Sequence, residues 1–431
     1  MSVPWTICSV KGILISSKPA WISRVIDRRV GNVDSVRKLL EDGIKDGVFP
    51  GAVLLVAKGG RVVFFHEAGY RSIIPQKLPM KKDTVFDLAS LTKPLATTLA
   101  LMKLVEEGVI ALDQPLSELI SSAFLGDKAD LTPRLLLSHA AGLADWKPYY
   151  MRLVDHPVEH RKELLRDWII QEPFAYRPGK GTLYSDLGFM LLEWVIEERA
   201  GESLTSYVHR CFYGPLGLKR TLFSRSPGPP RLSEQVRDGG QALSPAAGGG
   251  ETHGNREEGE GEGIHLHGVA KGEFAATEDC PWRKKVVQGE VDDENAWALG
   301  GCSGHAGLFS TAEEVHIVTN MLREHYFGMR RDFFKPKTVK EFLTRQNIVE
   351  GSDWALGWDT RAPEGSSAGK HFSRGSVGHT GFTGTSIWMD LEKDVAVIFL
   401  TNRVHPTRNN DRIKILRPKL HDAVMEALGL N

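Results

Sequence analysis

Strand signals at opposite ends of the chain, with helical spacing between them, constrain the fold more than any other feature. Near the start, Ala52 to Ala57 is a short β-branched apolar run, Lys58-Gly59-Gly60 is turn chemistry, and Val62 to Phe65 is a second run. This pattern predicts a β-hairpin. Near the end, Ser386 to Asp390 and Val395 to Thr401 read as strands separated by the polar Leu391-Glu-Lys-Asp394. Between the two pairs, apolar residues recur at helical spacing from Leu91 to Val109, Thr132 to Leu143, Val158 to Ile170 and Asp186 to Ala200. A helix carrying Val36, Leu39, Leu40 and Ile44 starts after Asn32-Val-Asp-Ser, and another from about Arg412 closes the chain. The expected organisation is a discontinuous α/β domain, residues 31–85 and 295–431, with a mostly helical subdomain inserted over 86–294 and an N-terminal extension over 1–30.

Composition narrows the function classes. The 54 Lys and Arg balance 54 Asp and Glu, which argues against a general nucleic-acid binder, since phosphate neutralisation needs a basic excess spread over one surface. No apolar run reaches the roughly 18 residues of a membrane span. Lys11 interrupts the one candidate signal-peptide core, so a cytoplasmic location is expected, with the periplasm or the exterior as alternatives. Cys8, Cys211, Cys280 and Cys302 are widely spaced and read as reduced thiols or core residues. Ten glycines fall among the 31 residues from Asp238 to Gly268, so a mobile surface loop is expected over 225–272. His253, His265 and His267 lie in it, but without a second fixed-spacing pair they and Cys280 do not make a zinc site, and no metal or cofactor is expected.

The strongest local signal is Phe86-Asp-Leu-Ala-Ser90-Leu-Thr-Lys93-Pro-Leu. Ser90 and Lys93, three apart at a helix start, share one face beside free backbone N–H groups, and Pro94 is tolerated there because first-turn N–H groups have no intrahelical partner. A serine becomes a nucleophile when a neighbouring base takes its proton, and a buried lysine with its pKa pushed well below about 10.4 can serve. The bland reading of Ser90 is a helix cap. Ser35-Val-Arg-Lys38 has the same spacing, but lies on an amphipathic helix where its lysine is a solvated face residue. Two further motifs decide for Ser90: Arg177-Pro-Gly-Lys-Gly-Thr-Leu-Tyr184-Ser185-Asp186, a tyrosine on a loop before a helix, and Gly378-His379-Thr380-Gly381-Phe382-Thr-Gly384, opening the late strand pair.

With Ser90, Tyr184 and His379 in that order, the chain resembles the serine β-lactamase and penicillin-binding protein superfamily, most closely its class C-like branch, which includes the family VIII carboxylesterases. Gly108-Val-Ile-Ala-Leu-Asp113-Gln-Pro-Leu, Leu135-Leu-Leu-Ser-His139-Ala-Ala-Gly142-Leu and Gly300-Gly-Cys-Ser-Gly-His305-Ala-Gly-Leu-Phe-Ser-Thr311 support the resemblance. It implies an antiparallel sheet flanked by helices, and an acyl-enzyme on Ser90 released by water. Lys93 and Tyr184 would share the base and acid work, and the N–H groups of Ser90 and Phe382 would form the oxyanion hole. Asp186, His379, Thr380 and Gly381 would meet substrate. Two departures bear on specificity. Many relatives have lysine where His379 stands, and the amide of Y-x-N where Asp186 stands; a carboxylate cannot donate an N–H bond, and the loss of a permanent cation weakens capture of a substrate carboxylate. These departures favour esters of short acyl groups, with weak or accessory β-lactam hydrolysis, and suggest turnover that falls when His379 changes charge. A β-lactamase or a cell-wall peptide amidase or peptidase is the alternative enzyme. A lactam-binding or peptide-binding module without turnover is the non-enzyme alternative, against which the base beside Ser90 argues.

Gly365-Ser-Ser367-Ala-Gly369 matches a lipase box, but its neighbours show no strand-to-helix pattern, so a polar loop is expected. His139 and His305 read as structural hydrogen-bonding residues. Trp354, Trp358 and Trp388 could wall the cleft or fill core, and Tyr149 and Tyr150 could stand at its entrance. The expected partner is a small ester, lactam or cell-wall peptide; the oligomeric state is not readable from the sequence.

Overall fold

The computed structural model describes residues 33–121, 124–225, 265–266 and 268–431. The two ends of the chain meet in one seven-stranded antiparallel sheet. Its strands are β1 (Gly51–Lys58), β2 (Arg61–Ser72), β3 (Leu78–Pro79), β4 (Asp359–Thr360), β5 (Val377–Thr380), β6 (Ser386–Asp390) and β7 (Val395–Thr401), in the spatial order β4-β5-β6-β7-β1-β2-β3. The hairpin at the start joins the late strand pair through β1 and β7, from Ala52 opposite Thr401 to Lys58 opposite Val395.

Period-two alternation explains why both faces of this sheet are covered. Val53, Leu55 and Ala57 of β1, Ile387 and Met389 of β6, and Ile398 and Leu400 of β7 point into one apolar cluster that continues through the helical segment. Ala52, Leu54 and Val56, together with Trp388, Val397 and Phe399, point into a second cluster covered by the helices Asp34–Lys45 and Ile413–Ala427. The sheet and the helical segment share the first cluster, so the proposed division at residues 86 and 295 is one of chain course rather than of separate cores.

The expected helices over Val158 to Ile170 and Asp186 to Ala200 form as Val158–Gln171 and Asp186–Ala200. The one expected over Thr132 to Leu143 is only Pro133–Leu137, because His139 adopts φ 55° and turns the chain. Leu91 to Val109 is also less regular than its spacing suggests: a 3₁₀ turn Ala89–Leu91 and a wide π-helical turn Lys93–Thr97, with Pro94 in its first positions, precede the helix Thr98–Glu106. Most of the expected mobile loop, with His253 and His267, lies outside the described residues, as do residues 1–32. The loop closes earlier than expected, however, since His265–Leu266 pairs with Val269–Ala270 in a short hairpin. Among the described residues no helix is long and apolar enough to cross a membrane.

Candidate active site

The site forms where the helical segment meets the β5–β6 turn. The short strand Phe86–Asp87 pairs with Leu308–Ser310 and delivers the chain into the turn that carries Ser90. The buried Asp87 carboxylate accepts from Ala89 N at 2.8 Å and from Asp292 N at 2.6 Å. It thereby holds Ala89 at φ 48°, a left-handed conformation that costs a non-glycine residue energy and needs such support. Burial and the neighbouring Asp292 push Asp87 up to about 7.

Lys93 follows, fully buried, with its Nζ donating to Ser90 Oγ at 3.1 Å, Asp186 Oδ1 at 2.7 Å and the His305 carbonyl at 3.2 Å. Three acceptors use all three N–H donors of an ammonium group. Burial works against this charge, but the Asp186 carboxylate and Tyr184 outweigh it and hold the Lys93 pKa above its ordinary value. The expectation of a lysine pushed down into the range of a free base is therefore overturned, and the cause is a residue 93 positions away. Asp186, at the first position of its helix behind the capping Ser185, binds Lys93 as well as facing the cavity, so it is more than the substrate contact expected of it. Tyr184 lays its ring over Lys93, with Nζ 4.8 Å from the centroid, and burial raises its phenol despite the Lys93 charge. The Tyr184 hydroxyl, enclosed beside Lys93 and Ser90, makes no well-formed hydrogen bond.

A second buried pair lies behind the first. His305 Nε2 is 2.9 Å from Asp293 Oδ1, and its Nδ1 is 3.0 Å from Ser303 Oγ. Against the effect of burial, Asp293 raises the imidazole pKa, while His305 brings Asp293 down to about 2. His305 thus has the structural role expected, but it also faces the cavity. Asp186, Asp293 and His305 present ligating atoms within 4.8 Å of one another, a spacing a metal ion could bridge. Lys93 and the His305 ring already supply positive charge to the two carboxylates, so the donor set does not call for one.

The strand side is fastened to the Ser90 turn. Thr383 Oγ1 donates to Asp87 O at 2.8 Å and Thr385 Oγ1 to Leu88 O at 3.0 Å. A Cβ on Gly381 would stand 2.5 Å from Leu88 O and 2.1 Å from Thr385 Oγ1, so this approach requires glycine. Next to it His379 is buried, and its Nδ1 donates to Thr380 O at 2.9 Å. Burial first, then the Lys93 charge, push its pKa down to about 3. This corrects the expectation that His379 titrates near neutrality and governs turnover there: the ring stays neutral because it is enclosed beside an ammonium group.

The resulting cavity, about 690 Å³, is bordered by Ser90, Tyr184, Asp186, His379, Thr380 and Phe382 of the expected set, with Lys93 beneath Ser90. Gly381 shapes its edge without bordering it. Trp354 walls the cleft, edge-on to His139 and tilted against Tyr184 and His379, whereas Trp358 and Trp388 are core. Tyr149 and Tyr150 do not border it; Trp146 does. His139 accepts from Ser185 N at 3.0 Å and so steadies the loop that carries Tyr184. Ser367 is on an irregular loop, its Oγ accepting from Trp388 Nε1 at 3.1 Å and facing no cavity residue, which removes the lipase-box reading. Ser35 and Lys38 are exposed on the Asp34–Lys45 helix. Cys280 is a buried free thiol. Sequence reasoning missed Asp292, Asp293, Glu294, Asp359 and Arg408, all bordering the cavity. The run Asp292-Asp293-Glu294 was the visible signal, but nothing local ties it to Ser90.

The model of the β-lactamase family matches residues 36–419. The chain belongs to the β-lactamase family. A protein of Salmonella paratyphi A named "Putative D-alanyl-D-alanine carboxypeptidase" is 30% identical over 388 residues, covering 85% of this chain and 82% of the relative. In fold, this β-lactamase family member is similar to the octameric penicillin-binding protein homologue of Pyrococcus abyssi (TM-score 0.62, 20% identity, 93% of this chain and 78% of that one). It is likewise similar to EstCE1, a hydrolase with promiscuous acyltransferase activity (TM-score 0.61, 24% identity, 90% and 98%). The chain is a serine hydrolase of the β-lactamase-like kind.

Proposed function

We propose that this serine hydrolase acts on esters of short acyl groups through an acyl-enzyme on Ser90, with β-lactams as accessory substrates. The observation that carries the reading is the ammonium of Lys93 held between Ser90 Oγ and Asp186 Oδ1 beneath an open cavity. Ser90 Oγ attacks the acyl carbon, and its proton passes to Lys93 as Lys93 gives one to Asp186. Tyr184 donates the proton that the departing alkoxide takes, and the resulting phenolate sits against the Lys93 charge until a proton returns from Asp186 through Lys93. Water then attacks the acyl-enzyme, losing its proton along the same route, and Ser90 is restored. The backbone N–H groups of Ser90 and Phe382 receive the oxyanion, each worth about 3–4 kcal/mol when preorganised in a dry site.

Neutral His379 supports the preference for esters, because a substrate carboxylate meets no cation there. A second reading, cleavage of a D-alanyl peptide, draws on the name of the Salmonella relatives, but it would have to hold the peptide's terminal carboxylate without that cation. The test is mass spectrometry and steady-state hydrolysis with p-nitrophenyl butyrate and a chromogenic cephalosporin. We expect a transient acyl adduct on the Ser90 peptide, loss of at least about a thousandfold in rate with Ser90→Ala, and retained activity with Ser367→Ala. An adduct elsewhere, or a faster reaction with the cephalosporin, overturns the reading.

A further inference from the structure

The charges around the cavity are unevenly matched. Asp186 is paired with Lys93, Asp293 with His305, and Glu294 with Arg408. Arg408, the one arginine facing the cavity among the described residues, also holds Glu278 through two nitrogens at 2.5 and 2.6 Å, and lies 5.6 Å from the Phe382 ring. Two carboxyl groups are left over. Asp292 is 3% exposed and its Oδ1 has no hydrogen-bond partner. Asp359, on β4, also borders the cavity, and Arg345, the cation whose charge acts on it, is itself paired with Asp353.

The position of Asp359 is informative. It sits opposite Gly378 in the β4–β5 pairing, and β4 ends there, so the outer edge of β5 is uncovered at His379 and Thr380 beside the cavity. An extended substrate lying along that edge meets the Asp359 carboxyl where β4 stops. His379 adds a second, independent sign. It is 3% exposed, and because Nδ1 is the donor to Thr380 O, Nε2 carries a lone pair; that atom has no partner. The strand side therefore offers acceptors and no unmatched cation.

We propose that the cavity selects acyl substrates bearing a protonated amine, seated at Asp359 on the open edge of β5, and rejects those bearing a free carboxylate. The inference rests on the hydrolase reading above and names its substrate class. Burial and the adjacent Asp353 push Asp359 up to about 7, only partly offset by the Thr360 N–H and the Arg345 charge, and a substrate ammonium supplies the balance. The acceptor on His379 and the free oxygen of Asp292 extend the same preference for donors.

The experiment compares three p-nitrophenyl esters of similar length on the full chain: the neutral butyrate, the 4-aminobutyrate and the monosuccinate. We expect kcat/KM for the amino ester to exceed that of the butyrate about tenfold or more, the size of one charge-assisted hydrogen bond, and the monosuccinate to fall below both. Asp359→Asn should reduce the amino-to-neutral ratio at least about fivefold, through KM. Asp359→Glu should restore most of it, which a merely structural role would not do. A monosuccinate preferred over the butyrate, or a ratio untouched by Asp359→Asn, overturns the inference. If no ester is turned over, the hydrolase reading fails by itself; selectivity is then read from binding of 3-aminopropylboronic acid against 2-carboxyethylboronic acid, where equal affinity overturns the inference and tighter binding of the amine supports it.

Discussion

The helix side and the strand side of the cavity solve opposite electrostatic problems. On the helix side, three charge pairs are matched: Lys93 with Asp186, His305 with Asp293, and the partly exposed Lys162 with Glu193 further back. On the strand side, the buried ring of His379 is neutral, and Asp359 has only Arg345, a cation already paired with Asp353, to act on it. Fixed, matched charges suit bond making and breaking, because they need no reorganisation as charge moves. Unmatched acceptors suit recognition, because a ligand completes them. The proposed division is therefore chemistry on the helices and selectivity on the strands.

Replacing Asp186 by asparagine attacks the matched side and should have the largest effect. Asp186 is what holds the Lys93 pKa up against burial, so the amide lets Lys93 lose its proton at lower pH. We expect kcat/KM at pH 7 to fall about a hundredfold and stability to fall by about 3 kcal/mol, the cost of leaving a buried charge without its partner. The sign with pH follows from linkage. A lysine whose folded pKa lies above its unfolded value of about 10.4 contributes stability that is present below that value and lost as pH rises through the folded pKa. The alkaline limb of the rate profile should thus move to lower pH in the variant, and the stability gap to wild type should narrow at high pH. An unmoved limb in a pH series of kcat/KM would mean that Lys93 is not held charged by Asp186.

The two sides also differ in how much of them was legible in the sequence. Ser90, Lys93 and Tyr184 were readable because each sits in a short motif whose local geometry, a helix start or a loop before a helix, determines where it points. Strands β1, β6 and β7 were readable for a similar reason, since apolar runs bounded by polar turns leave few alternatives. The charge states were not readable. Lys93 is held up by a residue 93 positions distant, and His379 is held down by enclosure that only the packed structure creates. The helix ending at Leu137 was overrun for the same cause: His139 leaves helical conformation to meet the N–H of Ser185, a partner outside any sequence window. Asp292, Glu294 and Asp359 were missed because nothing in their neighbourhoods reports that the chain returns them to Ser90.

A smaller effect tests whether the strand side positions what the helix side uses. Thr383 and Thr385 fasten the β5–β6 turn to the carbonyls of Asp87 and Leu88, two residues and one residue before the Ser90 turn. Thr385→Val keeps the shape and leaves the Leu88 carbonyl without that donor, at a cost of about 1 kcal/mol. If the turn sets the Phe382 N–H against the oxyanion, kcat should fall several-fold with KM nearly constant, since the lost interaction belongs to the transition state. Chemical denaturation together with kinetics on p-nitrophenyl butyrate separates the two; a loss of stability with kcat intact would make the fastening structural only.

The smallest effect on the pH dependence of the rate is expected at His379, and it bears most directly on the claim that this ring is electrically silent. With its pKa pushed down to about 3 by burial and by Lys93, the ring does not change charge near neutrality. His379→Gln should therefore leave the shape of the rate profile between about pH 5.5 and 8 as it is in the wild type, whatever it does to the absolute rate. Its signature belongs to stability in acid. Below the unfolded histidine value of about 6.5, the unfolded chain binds a proton that the folded chain refuses, so stability associated with this site is complete above that value and lost as pH falls toward the folded pKa. Wild type should lose stability between pH 7 and 4 more steeply than His379→Gln, measured by denaturant titration at each pH. A parallel loss in the two proteins, or a rate profile reshaped near neutrality by the glutamine, would mean that the imidazole does titrate in the folded enzyme and that the strand side carries charge after all.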